Sequence, residues 1–262
     1  MSVLGVWTRK AAYLLALPAV LVASWAVLGG RTTSFYYPSL GRILSAFADT
    51  WGWERVTGDV LPSLARLAAG YAGAVCVGVA LGTLLGSLPR LRALTEPILE
   101  FFRAIPPTVL IPILMLFSGV GDGMKILVII SGAVWPVLLN TVEGVRAVDN
   151  VLSDSARCYG ITGFARLRHL VLRAASPQIV AGMRQALSIS IILMVISEMF
   201  ASSNGLGFTI VQFQRSFAVP AMWSGIILLG LLGFALSLLF DRFDSRVLGW
   251  YHGLRRSQRG EK

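Results

Sequence analysis

Apolar residues dominate this chain in long runs, and polar residues fall between the runs rather than within them. The runs are Ala11–Leu28, Leu67–Gly86, Ala104–Val120, Ile126–Asn140, Gln185–Phe200 and Met222–Phe240. Most approach the ~20 residues that carry an α-helix across a bilayer. None alternates apolar with polar positions, so the ten-residue signal of a membrane β-barrel is missing. The pattern predicts an all-α, polytopic membrane protein of about six transmembrane helices. It reads as one membrane domain over residues 1–262, with no soluble domain attached. Only 14% of residues are charged, against about 25% in soluble domains.

Charge then orients the chain. Of 23 Lys and Arg, all but Arg31, Arg42, Arg55, Arg66, Lys125 and Arg215 fall on one side of the predicted spans. The positive-inside rule places that side, with both termini, in the cytoplasm, and an even number of spans agrees. The formal charge of +10 is therefore topological, and nucleic acid is excluded as a partner. The first run is long for a signal-peptide core, and Ser24-Trp25 is a poor cleavage site, so it is expected to be retained. Cys76 lies in a span and Cys158 in a cytoplasmic loop, so they form no disulfide framework.

Several details refine the helices. Ser39–Trp53 predicts a short amphipathic helix at the interface. Gly70, Ala74, Gly78, Gly82 and Gly86 recur at every fourth position, forming a small-residue ridge for close helix packing. Pro106 and Pro107 suit the start of the third span, where no backbone donor is needed. Pro112 and Pro136 are expected to kink the third and fourth spans. Such breaks often line a pathway in a bundle interior.

Catalytic chemistry is absent. There is no G-x-x-x-x-G-K-[S/T] loop, and Gly119 to Lys125 has the wrong spacing for one. His169 and His252 have no ligand partner at useful spacing. The chain is expected to bind no cofactor or metal and not to be an enzyme. Glu198 stands out as an ionisable residue in or at the edge of a span, an expensive placement that marks functional sites. It would pair with a cation, hold a gate or face the route; the alternative is a hydrated structural carboxylate at the outer interface. Met199, Ser202, Ser203 and Asn204 follow it in a polar, glycine-rich outer hinge, and with Pro106 and Pro107 complete a candidate pathway or gate.

The cytoplasmic stretch Asp154–Pro177 is basic and amphipathic. Asn150–Tyr159 predicts a short helix with Asp154 near its positive end, Gly160 a break, and Thr162–Ala174 a second helix, closed by Pro177. Phe164, Leu167, Leu170 and Val171 share one face of it, with Arg166, Arg168 and Arg173 on others. A helix–glycine–helix between two spans can transmit a push from a soluble partner; the alternative is a hairpin resting on anionic membrane lipid.

This stretch resembles the EAA loop of binding-protein-dependent ABC importer permeases. Asp154 matches the Glu, Ser155 and Ala156 the two alanines, and Gly160 the glycine. Val171-Leu172 match an apolar pair, and Pro177 a later proline, while Arg173 departs where proline is common. Phe102–Pro107, Leu138–Thr141, Gly144–Arg146 and Glu198–Gly207 are similar to the permeases for aliphatic sulfonates, taurine and nitrate, over about Pro38 to Leu248. The resemblance implies a type I importer fold and a coupling helix that docks on an ATPase subunit through Asp154, Ser155, Ala156, Arg157, Tyr159, Gly160, Ile161, Phe164, Arg166 and Leu167. It implies two ATPase subunits carrying ATP and Mg, a second permease copy (a homodimer), an extracytoplasmic binding protein or lipoprotein, and a bacterial inner-membrane location. Little substrate affinity is expected in the permease itself, whose spans offer few polar groups. The rival class is a self-sufficient secondary transporter or channel, which favours inverted repeats and midplane ionisable residues.

Overall fold

The apolar runs become long helices because a bilayer offers the backbone no other partner than itself. The computed structural model describes residues 16–27, 35–200, 202–251 and 253, with no strand among them. In chain order the helices are α1 (Ala16–Val27), α2 (Leu40–Thr50), α3 (Trp53–Ser87), α4 (Pro89–Ala104), α5 (Pro107–Ser118), α6 (Asp122–Arg146), α7 (Asn150–Cys158), α8 (Gly163–Phe200), α9 (Leu206–Arg215) and α10 (Val219–Val247). Of these, α3, α6, α8 and α10 are long and apolar enough to cross a membrane, and α4 with α5 makes a broken fifth candidate. The predicted first span, Ala11–Leu28, extends at both ends outside the described residues; its described part is α1.

Packing centres on α6, which lies between α3 and α8. The small-residue ridge of α3 meets a β-branched ridge of α6: Gly70 faces Ile129, Gly78 faces Val137, Gly82 faces Thr141 and Gly86 faces Val145. A methyl group on Gly82 would lie 2.6 Å from Thr141 Cβ and 2.8 Å from the Leu138 carbonyl oxygen. On the other side, Gly182 of α8 faces the Pro136 carbonyl oxygen. Lipid is as apolar as the side chains, so close van der Waals approach must supply the association that water would otherwise drive. The amphipathic α2 buries Ile43 and packs on α10, where Trp51 Nε1 donates to Ser224 Oγ at 3.0 Å.

Several expectations need correction. Ala104–Val120 is not one straight span: α4 and α5 meet at 82°. Ile105 precedes proline and is extended, with φ −78° and ψ 119°, since a following proline disfavours the helical conformation. Pro107 offers no N–H, so helix restarts there rather than continuing. Pro112 falls in the first turn of the α-helical part of α5 and starts it instead of kinking it. Helix α6 runs on through Pro136. The second span begins well before Leu67, because α3 extends back to Trp53 through a π-turn at Val56–Val60. The fifth extends back from Gln185 to Gly163, so the predicted second cytoplasmic helix is the beginning of α8. Pro177 sits inside α8 and closes nothing.

Candidate functional site

At the end of the bundle where α3, α6, α8 and α9 converge, charged side chains are buried together. Glu198 of α8 has no exposed surface, and Arg66 of α3 is 4% exposed. Their ion pair is 2.7 Å, Nη1 to Oε1. Arg66 Nε donates to Asp122 Oδ1 at 2.7 Å, Nη1 to the Asn204 carbonyl at 3.2 Å, and Nη2 to Asn204 Oδ1 at 2.5 Å. Ser63 Oγ lies 2.7 and 2.9 Å from the two Glu198 oxygens. A buried carboxylate is tolerable only when paired and hydrogen-bonded, and this one is both.

The same cluster starts α9. Gly207 N–H donates to Glu198 Oε2 at 3.0 Å, Leu206 N–H to Ser63 Oγ at 2.9 Å, and Gly205 N–H to Asp59 Oδ1 at 3.0 Å. Helix N-termini leave backbone donors without intrahelical partners and carry positive potential, so α3 and α8 together cap α9. Glycine is required at 205 twice over. Its φ is +116°, and a Cβ would fall 2.5 Å from the Glu198 carboxyl carbon.

A cavity of about 500 Å³ opens beside this cluster. Arg66, Asp122 and Lys125 meet Ser202, Ser203 and Asn204 there, among Met115, Val120, Gly121 and Phe200. Lys125 is 4% exposed, and its Nζ lies 3.6 Å from Asp122 Oδ1.

The opposite end of α6 leads to α7. Asp149 caps α7 by accepting from Val151 N–H at 2.9 Å; Asp154, expected near the helix start, lies in its middle. Ser153 and Ala156 face inward. Arg166 Nη2 donates to Ser153 Oγ at 2.6 Å, tying α7 to the base of α8. The chain reverses at Gly160, whose φ is +71°. Outward lie Val151, Asp154, Ser155, Arg157, Ile161 and two large aromatics, Tyr159 at 84% and Phe164 at 75% exposure.

Comparison with known proteins settles the family. The model of the binding-protein-dependent transport system inner membrane component matches residues 74–249. The chain belongs to that family. Similar proteins include the putative aliphatic sulfonates transport permease protein SsuC of Bacillus subtilis, 29% identical over 90% of this chain and 86% of the relative. The nitrate import permease protein NrtB of Synechocystis is 30% identical over 86% of this chain and 83% of its own. The taurine transport system permease protein TauC of Escherichia coli is 28% identical over 78% and 73%. Among solved structures, an inward-facing MetNI methionine ABC transporter chain aligns with a TM-score of 0.63 at 22% identity, covering 74% of this chain and 96% of that one. The fold is thus that of an importer permease, and the chain is a multi-pass membrane permease.

For this permease the expected gate residues divide. Glu198 is neither hydrated nor unpaired, as an outer-interface position would have made it; it lies under Arg66 as the cap of α9. Ser202, Ser203 and Asn204 line the cavity above it, whereas Met199 does not. Pro106 is exposed, and Pro107 wedges against Gly132 of α6, away from the cavity. Arg66 and Lys125, expected in outer segments, lie inside α3 and α6, where they converge with Ser63, Asp122 and Glu198. Arg166 and Leu167 belong to the inner face of the cytoplasmic segment, Leu167 packing beside Val171 and Ala175.

Proposed function

We propose that the chain is the membrane-spanning subunit of an ATP-driven importer for a small anion. Two copies form the pathway, and two ATPase subunits that hold ATP and Mg dock beneath them on α7 and its turn. An extracytoplasmic binding protein or lipoprotein delivers the cargo, and both termini lie in the cytoplasm. The observation that carries this reading is the construction of the α7 end. An outward surface of Val151, Tyr159 and Phe164 is pinned by Arg166 to a 38-residue helix that runs unbroken through the bundle. Exposed apolar side chains rimmed by Asp154 and Arg157 suit a protein interface. The relatives named for sulfonates, taurine and nitrate support a cargo with a small anionic oxygen group.

Reconstitution tests this. The permease, co-expressed with a partner ATPase and supplied with the binding protein, is expected to accumulate nitrate, taurine or methanesulfonate only with ATP. Cys158, exposed at the end of α7, is expected to cross-link to the ATPase. Uptake by the permease alone, driven by an ion gradient, would instead identify a self-sufficient transporter.

A further inference from the structure

The cavity beside the Arg66–Glu198 pair holds two nearly buried cations whose shared counter-charge is not buried. Asp122 is 65% exposed, yet it accepts from Arg66 Nε at 2.7 Å and stands 3.6 Å from Lys125 Nζ. Asp122, at 3.6 Å, is the ion-pair partner of Lys125 Nζ among the described residues, and Glu198 acts on it from farther away. A nearly buried ammonium is costly when under-paired, and Lys125, with three donors to satisfy, lines the cavity.

The guanidinium tells the same story. Of its five N–H donors, four are engaged: Nε with Asp122, Nη1 with Glu198 and the Asn204 carbonyl, Nη2 with Asn204 Oδ1. The fifth is on Nη2, and Nη2 shares one edge of the guanidinium with Nε. That edge is the fork that receives a planar or tetrahedral oxyanion through two parallel bonds. Asp122 occupies half of it through one oxygen.

We infer that this cavity is an oxyanion site at the outer end of the permease, and that the Asp122 carboxylate is a displaceable internal stand-in for the cargo. Glu198 stays in place, held by Ser63 and the start of α9, and neutralises one cation. When Asp122 swings into solvent, one positive charge remains, presented by the Arg66 edge and Lys125, with Ser203 also lining the cavity while the Ser202 hydroxyl is held by the Asn204 carbonyl. The site therefore takes a monovalent oxyanion of nitrate, bicarbonate or sulfonate type. It is built for brief occupancy, since the tethered carboxylate competes for the same donors and returns when the anion leaves. The inference rests on the anion reading proposed above and places the first contact in the permease.

The test uses the full-length permease in neutral-lipid nanodiscs, with thermal unfolding followed as nitrate or methanesulfonate replaces chloride at fixed ionic strength. Wild type is expected to be stabilised at millimolar anion. Asp122→Asn is expected to bind about tenfold more tightly, and Lys125→Gln about tenfold more weakly, from the gain or loss of one charge-assisted contact. Lys125→Arg restores binding. No tightening in Asp122→Asn, or unchanged binding in Lys125→Gln, overturns the site. Should Asp122→Asn fail to fold, the Lys125→Gln and Lys125→Arg pair decides by the same criterion. Uptake by the reconstituted complex is read separately. ATP-driven anion uptake with unaltered binding in the variants rejects the cavity and keeps the importer. Altered binding in a complex that moves no anion keeps the cavity and rejects the cargo.

Discussion

Glu198→Ala isolates the cluster that joins α3, α8 and α9. The substitution removes the acceptor for Arg66 Nη1, Ser63 Oγ and Gly207 N–H. Arg66 keeps Asp122 and Asn204 but loses its one fully buried counter-charge, and Gly207 N–H loses its acceptor. Removing one member of a buried ion pair costs about 3–5 kcal/mol. The surviving Asp122 contact places the expectation at the low end, about 3 kcal/mol. Combining Arg66→Met with Glu198→Leu removes both charges, and apolar replacement of a buried pair is often neutral. The double variant should therefore recover most of the loss, retaining about 1–2 kcal/mol from the unsatisfied Gly207 N–H. Reversible unfolding of the purified permease in mixed micelles measures all three proteins. A Glu198→Ala variant within about 0.5 kcal/mol of wild type, the range of ordinary surface substitutions, would refute the reasoning. So would a double variant less stable than the single one.

Three further substitutions and one control probe the rest of the design. Gly82→Val drives side-chain atoms into Thr141 and the Leu138 carbonyl and should cost about 1–3 kcal/mol by overpacking; Gly230→Ala, with nothing within 4 Å, is the control and should leave unfolding unchanged or slightly improved. Gly160→Pro replaces a residue at φ +71° with one fixed near −65°, and is expected to abolish uptake while membrane insertion, read by fractionation, is preserved. Arg166→Glu replaces the donor to Ser153 and should uncouple ATP turnover from substrate, which normal substrate-stimulated turnover in the variant would contradict.

Helix content and most span positions were legible because apolar runs of bilayer length have few alternatives. The ridge from Gly70 to Gly86 was legible as a packing surface, and its partner became visible only once Ile129, Val137, Thr141 and Val145 faced it. Boundaries failed where polar residues continue a helix. Asp59, Ser63 and Arg66 read as a polar approach to a span, yet their i, i+4 and i+7 spacing puts them on one helical face, and that face is buried by Glu198 and α9. A signal was available: Glu198 in an apolar run demands a cation, and Arg66 and Lys125 both abut the outer end of a span. Asp122 and Lys125, three apart at the start of α6, could have been read as a second such pair. The bend at Ile105-Pro106-Pro107 was equally available, since a double proline after a basic residue ends a helix as readily as it starts one. Arg166 misled because a basic residue in a basic segment reads as surface, whereas the turn at Gly160 folds it back onto Ser153.

The two ends of the molecule are mechanically continuous, and the sequence features responsible are the ones that look least chemical. Helix α8 begins at the turn after α7 and ends on Glu198; α6 begins at Asp122 and ends beside α7. At 1.5 Å per residue the 25 residues of α6 span ~37 Å, the distance that the coupling proposed through α7 has to bridge. Coupling over such a distance needs packed elements that move together. At Gly82 against Thr141 and Gly182 against Pro136 there is no room even for a methyl group, so α3 and α8 lie backbone-close against α6. On the coupling reading proposed above, a displacement of α7 passes through the Arg166–Ser153 bond to α8 and from there to α6 and α3, which pack together with it. Asp122 sits at the join between the loop after α5 and the start of α6, and at 65% exposure it is the charge that water reaches most freely in its cluster with Arg66, Lys125 and Glu198.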